Sequence, residues 1–170
     1  NDKIDNQPTV LLLHGFPELS FSWRKIMPIL ANEGFRVIAP DMRGYGLTSG
    51  GVKKYNVDIS EYRLLNLTTD ILSLLSVLKI NKIDLLVGHD AGSSVAGISA
   101  LIRPDIFKSV VMMSAPFTGA PNVESNLSYK DPIHKNLENL NPPRKHYQWY
   151  YSTPGANNDM HLDKKGLHKF

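Results

Sequence analysis

A Gly-x-Asp-x-Gly turn at residues 88–92 has the residue types and spacing of a catalytic site. It follows the apolar run 83–87, which indicates a buried strand, and it precedes a small, apolar segment typical of a helix packed on a sheet. In the related Gly-x-Ser-x-Gly elbow, glycines such as Gly88 and Gly92 let strand and helix approach closely while the central residue projects outward. Asp90 stands at that centre. Because a carboxylate is already ionised at neutral pH, Asp90 can attack an electrophilic carbon without a base.

A second motif predicts the groups that would stabilise the charge formed by such an attack. The short apolar run 9–13 indicates a buried parallel strand, and HGFPE follows it at 14–18. In elbow hydrolases, one N–H from the loop after this strand and one from the residue after the nucleophile hold the developing oxyanion. We therefore predict that the backbone N–H groups of Phe16 and Ala91 form an oxyanion hole. Either motif alone is compatible with an ordinary glycine-rich loop, but their order favours catalysis.

Several stretches together resemble the epoxide hydrolase branch of the α/β-hydrolase superfamily. They are HGFPE at 14–18, FSWR at 21–24, DMRGYG at 41–46, GHD at 88–90 and YQWYY at 147–151. The resemblance implies a partial α/β-hydrolase fold: a parallel sheet flanked by helices, with the start of a helical cap. It also implies that Tyr147 is a catalytic cap tyrosine, and that a substrate pocket is lined by Pro17, Ala115, Phe117 and Gln148.

The chemistry implied by the resemblance has two steps, with a small-molecule epoxide and water as the reactants. Asp90 attacks one epoxide carbon and forms an alkyl-enzyme ester, while Tyr147 donates a proton to the departing ring oxygen. An activated water then hydrolyses the ester and releases a vicinal diol. No cofactor and no metal are expected, because no histidine pair has metal-ligand spacing. His14 and His89 resemble scaffold positions of the family, and the remaining histidines are interpreted as surface residues.

Two alternatives remain open at the level of the sequence. Haloalkane dehalogenases share the Asp elbow, but in them a Trp follows the nucleophile and helps to hold the halide. Ala91 has only a methyl group there and no donor, which disfavours that reading. The other alternative is a non-catalytic, truncated paralogue of the same fold. An esterase is disfavoured, because an Asp nucleophile would form an unstable anhydride with an acyl substrate.

Length favours an incomplete enzyme. Family members are considerably longer than 170 residues, and the first residue here is Asn1 rather than Met. We expect 1–114 to be the N-terminal part of the core and 115–170 to be the start of the cap. The catalytic histidine, its acid and a second cap tyrosine are not found at matching positions. The chain alone is therefore expected to form the ester without hydrolysing it.

Alternating strand and helix patterns predict how these motifs are positioned. Strands are predicted at 9–13, 35–39, 83–88 and 106–114, and helices from about 23 to Gly34 and over about 59–79. The segment 115–143 is predicted to be a long loop that enters the lid, with helices at 144–151 and 156–170. Asp41 and Arg43 are predicted to form a structural ion pair.

Composition excludes several classes of function. The net charge of +3 comes from scattered Lys and Arg, which is no nucleic-acid-binding stripe. Cysteine is absent, so neither disulfides nor thiolate metal sites are predicted. No apolar run approaches the eighteen residues that would predict a membrane span. A cytoplasmic location is expected.

Overall fold

The computed structural model describes residues 7–52, 54–116, 119 and 132–162. Contacts between Cα atoms divide the chain into two compact units, Asn1–Gly119 and Ala120–Phe170. The first contains the predicted sheet and the Asp90 turn. The second contains Tyr147.

Four parallel strands form the sheet of the first unit. They are β1 (Thr9–Leu13), β2 (Arg36–Ile38), β3 (Leu85–His89) and β4 (Val110–Met113), in the order β2-β1-β3-β4. β1 is buried along its whole length, as its continuous apolar sequence predicts for a strand covered on both faces. The predicted parallel α/β sheet is thus confirmed.

Helices connect the strands of this sheet. A 3-10 helix at Ser20–Lys25 leads into α1 (Ile26–Asn32), α2 (Leu64–Val77) precedes β3, and α3 (Ala91–Ile102) follows it. Gly34 ends the α1 region with a φ of 89°, a left-handed conformation that glycine adopts without a Cβ clash.

Two apolar clusters lie on opposite faces of the sheet, because successive side chains of a strand point in opposite directions. Leu11 and Leu13 of β1 pack in the cluster that includes Leu75 of α2 and Val95 of α3. The alternate residues of β1, together with Val87, pack against the α1 side. Burying each large aliphatic side chain contributes about 1.5–3 kcal/mol. The two clusters therefore hold the carboxyl ends of β1 and β3 in fixed register, with Leu13 paired to Gly88.

Some element boundaries differ from the predicted ones. They differ where apolar residues pack in the core but lie outside a helix or strand. β4 begins at Val110 rather than at 106, although Phe107 is only 4% exposed and forms an isolated bridge with Ile83. α2 begins at Leu64, because the extended backbone of Arg63 separates it from a preceding 3-10 turn. Burial of an apolar residue thus does not imply that it belongs to a strand or a helix.

Three short helices make up the described part of the second unit. They are α4 (Pro132–Glu138), α5 (Tyr147–Tyr151) and α6 (Ala156–Leu162). The prediction of a continuous loop over 115–143 is wrong at α4. The predicted helices at 144–151 and 156–170 correspond to the shorter α5 and α6, while 163–170 lie outside the described residues.

Candidate active site

Asp90 occupies the junction between β3 and α3, directly beyond the carboxyl end of a central strand. Its φ is 51° and its ψ is −118°, a backbone conformation that is uncommon for residues other than glycine. The Asp90 N–H donates to the carbonyl oxygen of Met113 at 2.9 Å, which fixes the turn to the end of β4. Local strain of this kind costs about 1–3 kcal/mol and clusters at functional sites.

The two glycines of the turn are required by close backbone packing. A Cβ placed on Gly88 would overlap the backbone of Gly92, and one placed on Gly92 would overlap the carbonyl groups of Leu13 and His14. Strand, turn and helix therefore approach as closely as the elbow motif predicts.

The loop after β1 reaches the Asp90 carboxylate. The Phe16 N–H donates to Oδ1 of Asp90 at 3.0 Å, and a Cβ on Gly15 would lie 2.5 Å from the Cβ of Asp90. Pro17 follows Phe16 through a cis peptide bond. The contact with Phe16 therefore distinguishes the two carboxylate oxygens of Asp90, because Oδ1 accepts the Phe16 N–H.

Ala91 is the first residue of α3, so its N–H lies among the N–H groups that an α-helix leaves unpaired at its start. The helix dipole also favours negative charge at this end. The Ala91 side chain is exposed and carries no donor. The position therefore offers a backbone N–H to an oxyanion and no side-chain donor to a leaving halide.

His14 is the first residue of the HGFPE loop at 14–18, and its side chain is buried, with 1% exposed. Its Nε2 lies 2.9 Å from the Met42 nitrogen, which is a donor, so Nε2 must accept. Nδ1 therefore carries the hydrogen and donates to the Gly15 carbonyl oxygen at 2.9 Å. Both ring nitrogens are bound to backbone groups, so His14 is a structural residue, as the resemblance implies.

The loop 41–51 does not contain the predicted ion pair. Asp41 accepts the Ser20 N–H at 2.9 Å and the Leu47 N–H at 3.2 Å. The Ser20 hydrogen bonds are the main cause that lowers the pKa of Asp41 below its usual 3.8. Arg43 instead binds Asp70 of α2, through Nε at 2.8 Å and Nη2 at 2.6 Å. Both residues are structural, but the prediction that they pair with each other is wrong.

Two features near Asp90 were not predicted from the sequence. Burial raises the pKa of Tyr45, and the negative charge of Asp90 raises it further, so the phenol stays protonated at neutral pH. His89 Nδ1 lies 3.1 Å from Oε2 of Glu18. The partners of this second pair are 71 positions apart, which no local pattern reveals.

The predicted pocket residues are distributed over both units. Ala115 lies near the turn, since its carbonyl oxygen accepts a hydrogen bond from the Ser93 hydroxyl of α3 at 2.8 Å. Phe117 lies outside the described residues. Gln148 belongs to α5 of the second unit and is exposed.

Tyr147 is the first residue of α5 and is 49% exposed. Its ring stacks on His146 with centroids 4.8 Å apart. The neighbouring Tyr150 differs, because its hydroxyl donates to Asp159 at 2.7 Å and this hydrogen bond raises its pKa. Tyr150 is therefore engaged within its own unit.

Within residues 7–52, 54–116, 119 and 132–162, no group of three or more His, Asp or Glu side chains is placed to hold a metal ion. The helices of the same residues are all too short or too polar to cross a membrane.

Comparison with known sequences places this geometry in a family. The family described as alpha/beta hydrolase fold matches residues 8–153. An epoxide hydrolase of Caballeronia sordidicola is 48% identical over 110 residues, covering 65% of this chain and 32% of that relative. Epoxide hydrolase B of Mycobacterium tuberculosis is 37% identical over 163 residues, covering 94% of this chain and 44% of the relative. The chain thus spans less than half the length of these curated relatives.

Solved structures give the same result. An epoxide hydrolase from an endophytic Streptomyces superposes with a TM-score of 0.71 at 32% identity, over 92% of this chain and 44% of that one. Potato (Solanum tuberosum) epoxide hydrolase I superposes with a TM-score of 0.69 at 35% identity, over 92% of this chain and 46% of that one. With the elbow and the parallel sheet described above, these matches show that the chain belongs to the alpha/beta hydrolase family and is similar to its epoxide hydrolases.

Proposed function

We propose that the protein is an epoxide hydrolase that opens an epoxide to a vicinal diol through an ester on Asp90. The observation that carries the proposal is the hydrogen bond from the Phe16 N–H to one carboxylate oxygen of Asp90 at 3.0 Å. It supports different roles for the two oxygens: Oδ2 attacks the epoxide carbon, and Oδ1 remains hydrogen-bonded to the backbone donors.

The electron flow of the two steps follows from this arrangement. As Oδ2 forms the new C–O bond, the C–O bond of the ring breaks and the ring oxygen takes a proton from the Tyr147 phenol. Water then adds to the carbon of the ester carbonyl, and the negative charge develops on Oδ1. The N–H groups of Phe16 and Ala91 stabilise that charge. As the diol leaves, one proton of the added water passes to the departing diol oxygen and the other returns to the Tyr147 phenolate, and the Asp90 carboxylate is regenerated.

The other assignments belong to the same proposal. Residues 1–114 serve as the N-terminal part of the core and 115–170 as the start of the cap, with Pro17, Ala115, Phe117 and Gln148 lining the pocket. The reactants are a small-molecule epoxide and water. The expected cytoplasmic location stays a prediction, which cell fractionation with an antibody to the chain checks.

Mass spectrometry of the 170-residue chain after incubation with styrene oxide tests the proposal. We expect one covalent adduct that maps to Asp90 and is absent from the Asp90→Ala variant, because the Asp90 carboxylate is the group that accepts the Phe16 N–H at the proposed oxyanion hole. An exposed-carboxylate variant, Glu33→Ala, is the matched control and keeps the adduct. An adduct on another residue would remove Asp90 as the nucleophile. Halide release from a haloalkane, with no diol formed from the epoxide, would favour a dehalogenase instead.

A further inference from the structure

Glu18 and His89 join the two segments that make up the oxyanion site. Glu18 ends the HGFPE loop, two residues after Phe16, and His89 immediately precedes Asp90. Oε2 of Glu18 lies 3.1 Å from Nδ1 of His89. A carboxylate can only accept, so Nδ1 must carry a hydrogen in this contact, whether the imidazole is neutral or charged.

The pair contributes little to overall stability. The side chains are 37% and 29% exposed, and an ion pair with that much solvent contact is worth about 0–1 kcal/mol. The pair instead affects the distance between the two loops. The register that pairs Leu13 with Gly88 makes the two loops leave the sheet side by side, but it does not fix the distance between them beyond the strand ends.

Beyond the strand ends, close packing of Gly15 on Asp90 and of His14 on Gly92 brings the loop against the elbow, and side-chain contacts add to it. One such contact is the hydrogen bond from the Phe16 N–H to Asp90, and another is the pair formed by Glu18 and His89. Within the loop, the Glu18 N–H donates to the Gly15 carbonyl oxygen at 3.0 Å, which closes a tight turn around Phe16. Glu18 and Phe16 therefore belong to the same tight turn.

We propose that Glu18 and His89 form a latch, a pair of positioning residues that holds the Phe16 N–H in place for hydrolysis of the Asp90 ester. The inference rests on the proposed function. The N–H matters most after the ester has formed, because only then does a full negative charge develop on Oδ1. The latch therefore acts on ester hydrolysis more than on epoxide opening.

A rapid-quench experiment with styrene oxide on the full-length protein tests the latch, since the 170-residue chain alone is expected to keep its ester. Mass spectrometry follows the formation and decay of the Asp90 adduct in the wild type, in Glu18→Ala and in Glu18→Gln, with Glu33→Ala as the exposed control. We expect Glu18→Ala to slow ester decay about tenfold or more, a part of the 10²–10³ that the loss of an oxyanion donor costs. Ester formation changes by less than about threefold. Glu18→Gln keeps an acceptor oxygen for the Nδ1 hydrogen and restores most of the decay rate.

Three results would overturn the latch. If Glu18→Ala lowers only the amount of adduct and leaves both rate constants unchanged, the pair merely stabilises the fold. If both rate constants and the amount of adduct stay at the wild-type values, the pair does nothing. If ester decay in Glu18→Gln is as slow as in Glu18→Ala, the pair acts through its charge and not by positioning the Phe16 N–H.

A separate readout distinguishes failure of the latch from failure of the proposed function. An unreactive wild type would contradict the ester on Asp90. Hydrogen exchange of the Phe16 amide then still tests the latch, since it needs no substrate. We expect faster exchange in Glu18→Ala, near wild-type exchange in Glu18→Gln, and no change in Glu33→Ala. Equal exchange in all four proteins would overturn the latch.

Discussion

One hydrogen bond distinguishes the two carboxylate oxygens of Asp90. The Phe16 N–H binds Oδ1, and the Asp90 backbone has a positive φ of 51°. The type of residue at position 90 could be read from the sequence, because the flanking glycines have an evident steric reason. The hydrogen bond between the Phe16 N–H and Oδ1 could not be read in the same way, since Phe16 is 74 positions away.

Substitution of Tyr147 by Phe tests the residue proposed to donate a proton to the ring oxygen. We expect epoxide opening to slow by at least about tenfold, because the ring oxygen loses a proton donor, and general acids contribute about 10²–10⁴. Ester decay stays close to the wild-type rate. Rapid-quench mass spectrometry separates the two steps. Tyr150→Phe is the matched control, since the Tyr150 hydroxyl is bound to Asp159. Equal slowing in both variants would show that the substitution acts through folding of the second unit.

Substitution of Gly15 by Ala tests the packing of the oxyanion loop. The added Cβ would lie 2.5 Å from the Cβ of Asp90, so the loop must move outward and withdraw the Phe16 N–H. We expect diol formation to fall up to about a hundredfold, the loss that a displacement of about 1 Å can cause. Gly51→Ala is the control, because its nearest neighbour would lie at an ordinary 3.7 Å. A Gly15→Ala variant with wild-type activity would contradict the observed packing.

Elements are held in place by carboxylates that bind backbone N–H groups. Asp41 connects the loop 41–51 to the start of the 3-10 helix Ser20–Lys25. Asp84 accepts the Thr9 N–H at 2.9 Å and thereby connects the segment before β3 to the start of β1. Both contacts join residues that are distant in the sequence. The sequence therefore predicted the elements but wrongly paired Asp41 with its neighbour Arg43.

These contacts predict loss of stability in acid. The pKa of Asp41 is lowered mainly by Ser20, and that of Asp84 mainly by Lys82, from a usual value of 3.8. The stabilisation is therefore present above that value and is lost as the pH falls through 3.8 toward the lowered pKa. We expect Asp41→Asn to be less stable at neutral pH and to lose less stability in acid. Urea unfolding between about pH 3 and pH 7 measures both effects.

The control for the acid experiment is an exposed carboxylate. Glu33→Gln removes a negative charge without removing a hydrogen bond of the loop, and it should keep the wild-type dependence on pH. If Asp41→Asn also keeps that dependence, the hydrogen bonds of Asp41 do not contribute to the loss of stability in acid.

At the scale of the molecule, one edge strand of the sheet is apolar. Among the strands that the structure describes, β4 lies at one edge, and its residues Val110, Val111 and Met113 are each about 40% exposed. Parallel sheets are normally covered on both faces, and an open apolar edge promotes pairing between chains. The sequence predicted a strand here but not its exposure, because composition reports on the preferred environment of a residue and not on its neighbours in the sheet.

This edge predicts association of the 170-residue chain when it is produced alone. We expect oligomers at micromolar concentrations, and fewer of them in a Val111→Lys variant, because an edge lysine opposes strand pairing. Sedimentation velocity measures the distribution of species. Ile29→Lys places the same charge on the exposed face of α1 and is the control. A monodisperse monomer with a sharp, reversible thermal transition would contradict the prediction.

The buried His14 has a consequence for the chemical reactivity of the protein. Both of its nitrogens are bound to backbone groups, so an acylating reagent that labels histidine has no lone pair to attack while the loop is closed. His89, with a side chain 29% exposed, offers its Nε2 to the same reagent. Labelling at position 14 would therefore require the loop to separate from Met42, and the rate of labelling would report how often the oxyanion loop opens.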